Sequence, residues 1–468
     1  MMTEPATQQP SRYLPCLLTL AIFMQMLDTT ILNTALPSIA RSLHESPLSM
    51  QSAIVAYALT VALLMPLSGY LCDRYGTRKV FANAMLLFVV GSVLCAAAPS
   101  LTFLVLGRMI QGMGGAMLSP VPRVVVMRAY PRNQIVSMLN LIVMPALIGP
   151  IIGPLLGGYL VEYAHWSWIF LINLPIGILA ILATHRVMPD FTGAANPRLD
   201  IVGFLLFAGG ALGISLAMET VLHPAGKLFS SLTALLGIVS FYGYWHYARG
   251  NPDALYAANL FKVRTYRVGL SGNLVSRLGM SSVPFLLPLL LQVVFGYSAS
   301  AAGWMLMPIA FAAMFGKMVT LPLISYFGYR RLLIINTRLI GILIMSLALP
   351  QPHTSPWLLM PLLAGIGLSN SVQFTSMNTI SLADLRIYQT GSGNSLLAVD
   401  QQLSISMGIT LGAAVLTGFR SSQWIGDDLH LAFRLTFIVI GCITFTSSWV
   451  FARLHPYDGQ NLLPSEKD

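Results

Sequence analysis

The chain has 468 residues, 56% of them hydrophobic and only 9% charged, with a formal charge of +10. A soluble domain carries roughly 25% charged residues, so this composition excludes a large soluble enzyme and requires a multi-spanning membrane protein. The mean hydropathy of +0.73 agrees, and the basic residues fall mostly in short loops, where they set orientation and leave no surface broad enough to track nucleic acid.

On a ruler of about 20 apolar residues per crossing, about fourteen spans are predicted. The first six lie near residues 14–36, 50–70, 80–99, 101–122, 135–160 and 166–187. Two follow near 199–218 and 228–248. Six more lie near 267–294, 299–321, 331–350, 356–377, 395–418 and 430–452. The order six, two, six suggests two similar halves, 1–190 and 266–468, with a helical pair at 191–250 and a cytoplasmic linker at 251–265. That linker, with Asn251-Pro252-Asp253 and several basic residues, is expected to lie along the membrane surface. Residues Met1 to Ser11 are polar without a basic cluster, and no small-residue cleavage site follows the first run, which reads as a retained helix. Cys16, Cys72, Cys95 and Cys442 form no metal-ligand or disulfide pattern.

With the N-terminus inside, the inner loops hold Arg74, Arg78, Lys79, Arg128, Arg132, Arg186, Arg198, Arg249, Lys262, Arg264, Arg267, Arg330, Arg331 and Arg386. The outer loops hold only Arg41, Lys227 and Arg420. This asymmetry predicts cytoplasmic termini in a cell inner membrane.

The first span contains Asp28, in the run Leu27-Asp28-Thr29-Thr30-Ile31-Leu32-Asn33. A carboxylate at mid-span is unfavourable by about 2.5–3.5 kcal/mol and marks an ion or substrate pathway when it is retained. Gln25 and Asn33 share its helix and are candidates for a cavity wall.

After the second span, Gly69, Asp73, Arg74, Gly76 and Arg78 stand in an ordered Gly-Asp-Gly-Arg spacing. The glycines permit a tight turn and close helix approach, and Asp73 is placed to accept from free amides at a helix N-terminus. Here the chain resembles the major facilitator superfamily, whose signature loop between helices two and three has this pattern. The resemblance implies an all-α, polytopic fold of two six-helix bundles plus the two inserted helices, with this loop as an inner gate. Thr77 replaces the usual Arg after the second Gly, and Arg78 and Lys79 keep the positive charge. The equivalent loop of the second half keeps Gly328, Arg330 and Arg331 but has Ser325 at the Asp position.

In the fourth span Arg108 precedes Gln111-Gly112, similar to an Arg-x-x-Gln-Gly pattern of the superfamily. Asp28 lies about 21 Å along the outward first helix and Arg108 about 10 Å below the outer end of the inward fourth helix. The two are therefore expected at similar depth in the outer half, sharing a solvated pocket. Protonation of Asp28 would loosen the pair, because a nearby Arg favours the charged carboxylate and burial opposes it.

The fifth span carries Gly149, Pro150, Gly153, Pro154, Gly157 and Gly158. The prolines kink a helix and the small residues allow close packing. The run resembles the motif marking antiporters within the superfamily, with Asn140 at an earlier Gly position. Trp166 to Gly177 opens the sixth span; its tryptophans suit an aromatic belt, and no chemistry is assigned to it. With the helix count, these runs resemble the fourteen-helix drug:proton antiporters of the EmrB/QacA type.

In the second half, Arg277, Lys317 and Asp400 are intramembrane charges counted to the inner half of their spans. Such charges offset one another's burial when clustered, so Asp400 is expected to pair with Arg277 or Lys317 at the substrate cavity. Gln111 joins that cavity because it shares a helix with Arg108.

The expected function is proton-coupled export of amphipathic drugs or toxic organic compounds by alternating access. No cofactor is expected beyond the proton as coupling ion, since no Gly-x-x-x-x-Gly-Lys-Ser/Thr nucleotide signature appears. The expected partners are a small-molecule substrate and the lipid bilayer, with no nucleic acid and a monomer as working form. The resemblance leaves room for a periplasmic adaptor, for which no loop names a contact. The alternatives are a dedicated exporter of a siderophore or amino-acid derivative, and a non-transporting sensor or scaffold.

Overall fold

The computed structural model describes residues 11–193, 199–221, 226–251, 254–423, 425 and 428–462. Met1 to Pro10, Arg198, Pro252, Asp253 and the tail after residue 462 lie outside the described residues.

Twelve described helices are long and apolar enough to cross a membrane, and a bent pair adds a thirteenth crossing. The 48-residue helix Ala299–Ser346 breaks at Gly328, where φ is 70°. At about 1.5 Å per residue it is far too long for one crossing of a core about 30 Å thick. Split there, it completes fourteen. They are labelled α1 Leu14–Ser42, α2 the pair Gln51–Leu64 and Leu67–Tyr75 bent by 58°, α3 Thr77–Ala96, α4 Leu101–Ala129, α5 Asn133–Tyr163 and α6 Trp168–Val187. Next come α7 Ile201–Thr220, α8 Lys227–Gly250 and α9 Arg264–Val294. The rest are α10 at 299–327, α11 at 329–346, α12 Pro356–Leu382, α13 Gln389–Arg420 and α14 Leu429–Phe451. Helix starts follow local chemistry. Ser100, Asp200, Ser298 and Asp428 each cap a first turn by accepting a backbone amide.

The chain forms two units. Residues 1–45 and 52–199 make the first, and 46–51 with 200–468 the second. In the first, α1 is the central rod. It packs against α5 and α6 and runs six residues past its predicted end at 36, to Ser42, where Trp166 Nε1 donates to the Ser42 hydroxyl at 3.0 Å. Asp28 therefore stands at the midpoint of α1 rather than in its outer half.

In the second unit, α7 and α8 pair closely through Gly213 and Gly237. Asp200 ties their base together. Its carboxylate accepts from Gly203 N at 2.9 Å, the Tyr247 hydroxyl at 2.7 Å and Leu255 N at 2.8 Å. The connection to α9 is drawn in by Tyr256, which is 1% exposed and exchanges both backbone hydrogen bonds with the Tyr244 hydroxyl.

Candidate functional site

Asp28 and Arg108 meet. Arg108 Nη1 donates to Asp28 Oδ2 at 2.6 Å, and each side chain is 1% exposed. Both members are fully buried, whereas the pairs Arg128–Asp73 and Arg264–Asp458 are partly exposed. Neither Asp28 nor Arg108 faces lipid.

A polar cage from five helices surrounds the pair. Asp28 Oδ1 accepts from Gln111 Nε2 at 2.7 Å and from Asn173 Nδ2 at 3.1 Å. Gln111 and Asn173 both donate to the Ser92 hydroxyl, at 2.9 and 3.3 Å. Arg108 also donates to Gln111 Oε1 at 2.6 Å and to the Ala53 carbonyl at 3.3 Å, while its guanidinium lies 4.3 Å from the Tyr57 ring centroid. The carboxylate thus has one cationic and two neutral donors. The cation has one anionic partner, two neutral acceptors and an aromatic face. Charge-assisted bonds of this kind are roughly twice as strong as neutral ones. The neutral partners would keep Arg108 in place without its counterion.

Gln25 belongs to the lining of this cage: its Nε2 donates to the Gly115 carbonyl at 3.0 Å. Asn33, half-buried on the same helix, makes none of the hydrogen bonds described for the cage. Ser92 and Tyr57 were not singled out from the sequence, where Asn173 stands only as one of several amides able to line the cavity. Asn173 had a weak signal as an amide in an apolar run, about 8 Å from its helix end against about 10 Å for Arg108. Ser92 and Tyr57 had none.

The glycines of α5 close the side of α1 next to Asp28. A Cβ on Gly149 would sit 3.0 Å from Leu27 N. On Gly153 it would meet the Thr30 hydroxyl, and on Gly157 the Ile31 carbonyl. Positions 149, 153 and 157 recur every four residues, so one helical stripe faces α1. The Pro154 carbonyl accepts from the Thr34 hydroxyl at 3.1 Å, and Gly158 is buried beside the stripe. Half-buried Pro150 follows the break at Leu147, which divides the crossing into Arg132–Ala146 and Ile148–Tyr163.

The loop between α2 and α3 differs from expectation in its partners. Gly76 takes φ 86°, a conformation that favours glycine. Asp73, expected to accept from amides at a helix N-terminus, pairs instead with Arg128 of α4 at 2.5 Å. Arg78 donates through Nε to the Met188 carbonyl at 2.7 Å. The free amide at the start of α3 is taken by Asp190, which accepts from Arg78 N at 3.2 Å. Arg74 reaches the Tyr70 hydroxyl at 3.0 Å, and no described atom comes near a Cβ placed on Gly69.

The second-half cluster is corrected. Asp400 forms no direct ion pair with either candidate. Asn273 stands between it and Arg277, donating to Asp400 Oδ2 at 2.6 Å and accepting from Arg277 Nε at 2.7 Å. Lys317 is exposed on α10. The residue before it, Gly316, is the one packed against Ser371 of α12, which turns Lys317 away. The amides Gln373 and Gln401 bond across helices, to Thr337 at 2.7 Å and Asn378 at 2.6 Å.

Residues 18–409 match the Major Facilitator Superfamily. The chain belongs to the major facilitator superfamily. A putative multidrug resistance protein MdtD of Serratia proteamaculans is 42% identical over 437 residues, covering 92% of this chain and 91% of that protein. A probable transport protein HsrA of Haemophilus influenzae is also 42% identical, over 447 residues, covering 95% and 96%. Among solved structures, a peptide transporter of the POT family aligns with a TM-score of 0.70 at 15% identity, covering 98% of this chain and 99% of that one. The nucleoside transporter NupG aligns at 0.69 and 13%, covering 94% and 100%. These distant structures share the fold. The protein is therefore a multi-pass membrane transporter and not an enzyme.

Proposed function

We propose that this transporter is a proton-coupled antiporter that exports amphipathic drugs or toxic organic compounds, working as a single chain in the inner membrane with both termini in the cytoplasm. The observation that carries the reading is the buried Asp28–Arg108 pair in its cage of neutral donors and acceptors. The putative multidrug resistance relatives support the substrate class, and the inner-loop excess of Arg and Lys supports the orientation.

A proton arriving at Asp28 removes the anion and with it the ionic part of the contact to Arg108. Arg108 stays held by Gln111, the Ala53 carbonyl and the Tyr57 ring. The carboxyl group loses its preference for the donors of Gln111 and Asn173, so the grip of α1 on α4 and α6 relaxes. Return of the anion, with the proton released inside, restores it. Each state biases the two bundles toward one side, and the bundles rock as alternating access requires. The proton is the only coupling ion in this scheme.

The test is reconstitution in proteoliposomes carrying an internal pH indicator. Ethidium should dissipate an imposed pH gradient with the wild-type chain, and chemically unrelated amphipathic cations should compete with it. Ethidium movement without proton flux would refute antiport. Absence of competition would refute broad specificity and favour a dedicated exporter.

A further inference from the structure

Residues Met188 to Gly193 leave α6 and run as a strap beneath the α2–α3 loop, making six hydrogen bonds to it. Thr77 is at the centre and is 0% exposed. Its amide donates to the Phe191 carbonyl at 3.1 Å. Its hydroxyl donates to the Pro189 carbonyl at 3.1 Å and accepts from Phe191 N at 3.0 Å. Arg78 adds its two contacts, Nε to the Met188 carbonyl and N to Asp190. Gly193 N donates to the Asp73 carbonyl at 3.0 Å. Asp190 also occupies the space that a Cβ on Gly76 would need.

The same two helices are tied at their other ends. Ser92 of α3 and Asn173 of α6 meet at 3.3 Å inside the Asp28 cage. Thr77 lies fifteen residues from Ser92, and Met188 fifteen from Asn173. Each interval is about 22 Å of helix. One turn from the Ser92–Asn173 tie, a Cβ on Gly177 of α6 would collide with Val89 of α3, so the pair is closely packed there. Two antiparallel segments of equal length, fastened at both ends and closely packed beside one tie, have little freedom to slide or splay.

We propose that Thr77 and Asp190 are positioning residues of the transport cycle. They lock the α2–α3 loop to the end of α6, so that α3 and α6 move as one body and deliver a change at the Asp28 cage to the loop. The threonine standing where the superfamily pattern has an arginine is then a working part. Its hydroxyl fastens the strap, and Arg128 pairs with Asp73. This inference rests on Asp28 being the coupling site.

Hydrogen exchange followed by mass spectrometry on the purified full-length chain tests the strap without any transport assay. Thr77→Val keeps the shape and removes the hydroxyl; Thr77→Ser keeps the hydroxyl. Phe191 N should exchange about fivefold faster or more in Thr77→Val, as expected for one lost hydrogen bond, and return to wild-type protection in Thr77→Ser. Asp28→Asn should alter exchange at 73–79 in the wild-type background and leave that loop unaltered when Thr77→Val is also present. In proteoliposomes, Thr77→Val should lower ethidium turnover several-fold with KM unchanged, and Thr77→Ser should restore it. Asp190→Asn, which disturbs only the contact to Arg78 N, gives a milder version of both effects and serves if Thr77→Val does not fold. Faster exchange at Phe191 with wild-type turnover would reduce the strap to a structural brace and overturn the proposal. So would an Asp28→Asn response in the loop that survives Thr77→Val. If the wild-type chain moves no protons with ethidium, antiport is what fails, and the exchange arm still decides the strap.

Discussion

Asp28→Asn and Arg108→Gln, made singly and together, separate the ion pair from the cage that holds it. Both side chains are 1% exposed, so water and salt screen their attraction little. Removing one member of such a pair leaves the other charged and uncompensated, which destabilises the fold by about 3–5 kcal/mol. Asp28→Asn is the gentler change. Arg108 keeps Gln111 Oε1, the Ala53 carbonyl and the Tyr57 ring, and a desolvated cation–π contact supplies about 2 kcal/mol of support. We expect a loss of about 2–4 kcal/mol for Asp28→Asn. Arg108→Gln leaves the carboxylate with only the neutral donors of Gln111 and Asn173, and a loss of about 3–5 kcal/mol is expected. The double variant has no buried charge here, and should regain at least about 2 kcal/mol relative to the sum of the singles. The assay is reversible unfolding of the purified protein in mixed micelles, titrated with denaturing detergent. Stability should return in the double variant while proton-coupled transport does not. Additive losses would show that the two charges do not support each other, and the reasoning about the cage would be wrong.

Gly157→Ala should destabilise by about 1–3 kcal/mol through overpacking, because its Cβ would stand 2.6 Å from the Thr34 hydroxyl with the Ile31 carbonyl closer still. Gly69→Ala, with open space around it, should leave unfolding unchanged or slightly stabilised in the same titration. In the second half, Asn273→Ala should disturb both Asp400 and Arg277, since it removes the side chain hydrogen-bonded to both. A Lys317/Asp400 charge swap should fail to rescue either single variant, and rescue would refute the geometry drawn here.

The pair Asp28 and Arg108 was legible because charges are scarce in apolar runs, and each must find a partner at its depth. The α5 stripe was legible because glycines at 149, 153 and 157 share one face whatever that face meets. Ser92 and Tyr57 were not, and Asn173 was legible only as one of several amides able to line the cavity, since neutral polar and aromatic residues are common in spans and nothing local distinguishes a cage member from a packing residue. Asn273 and Arg277 are four apart on one helix, so their contact was within reach of helical spacing, but that an amide rather than a cation touches Asp400 was not. The pairing of Asp73 with Arg128 and the Met188–Gly193 strap depend on contacts across 55 and more than 100 residues of chain. The loop sequence offered Asp73 only the free amides of a helix N-terminus, and Arg128 arrives from α4.

The central claim is that Asp28 exchanges its proton in step with substrate. The most direct measurement mixes ethidium with purified transporter in weakly buffered detergent solution containing a pH indicator, while ethidium fluorescence reports binding. Wild-type protein should release protons as ethidium binds, and Asp28→Asn should bind ethidium with no release. Equal proton release from both proteins would contradict the account.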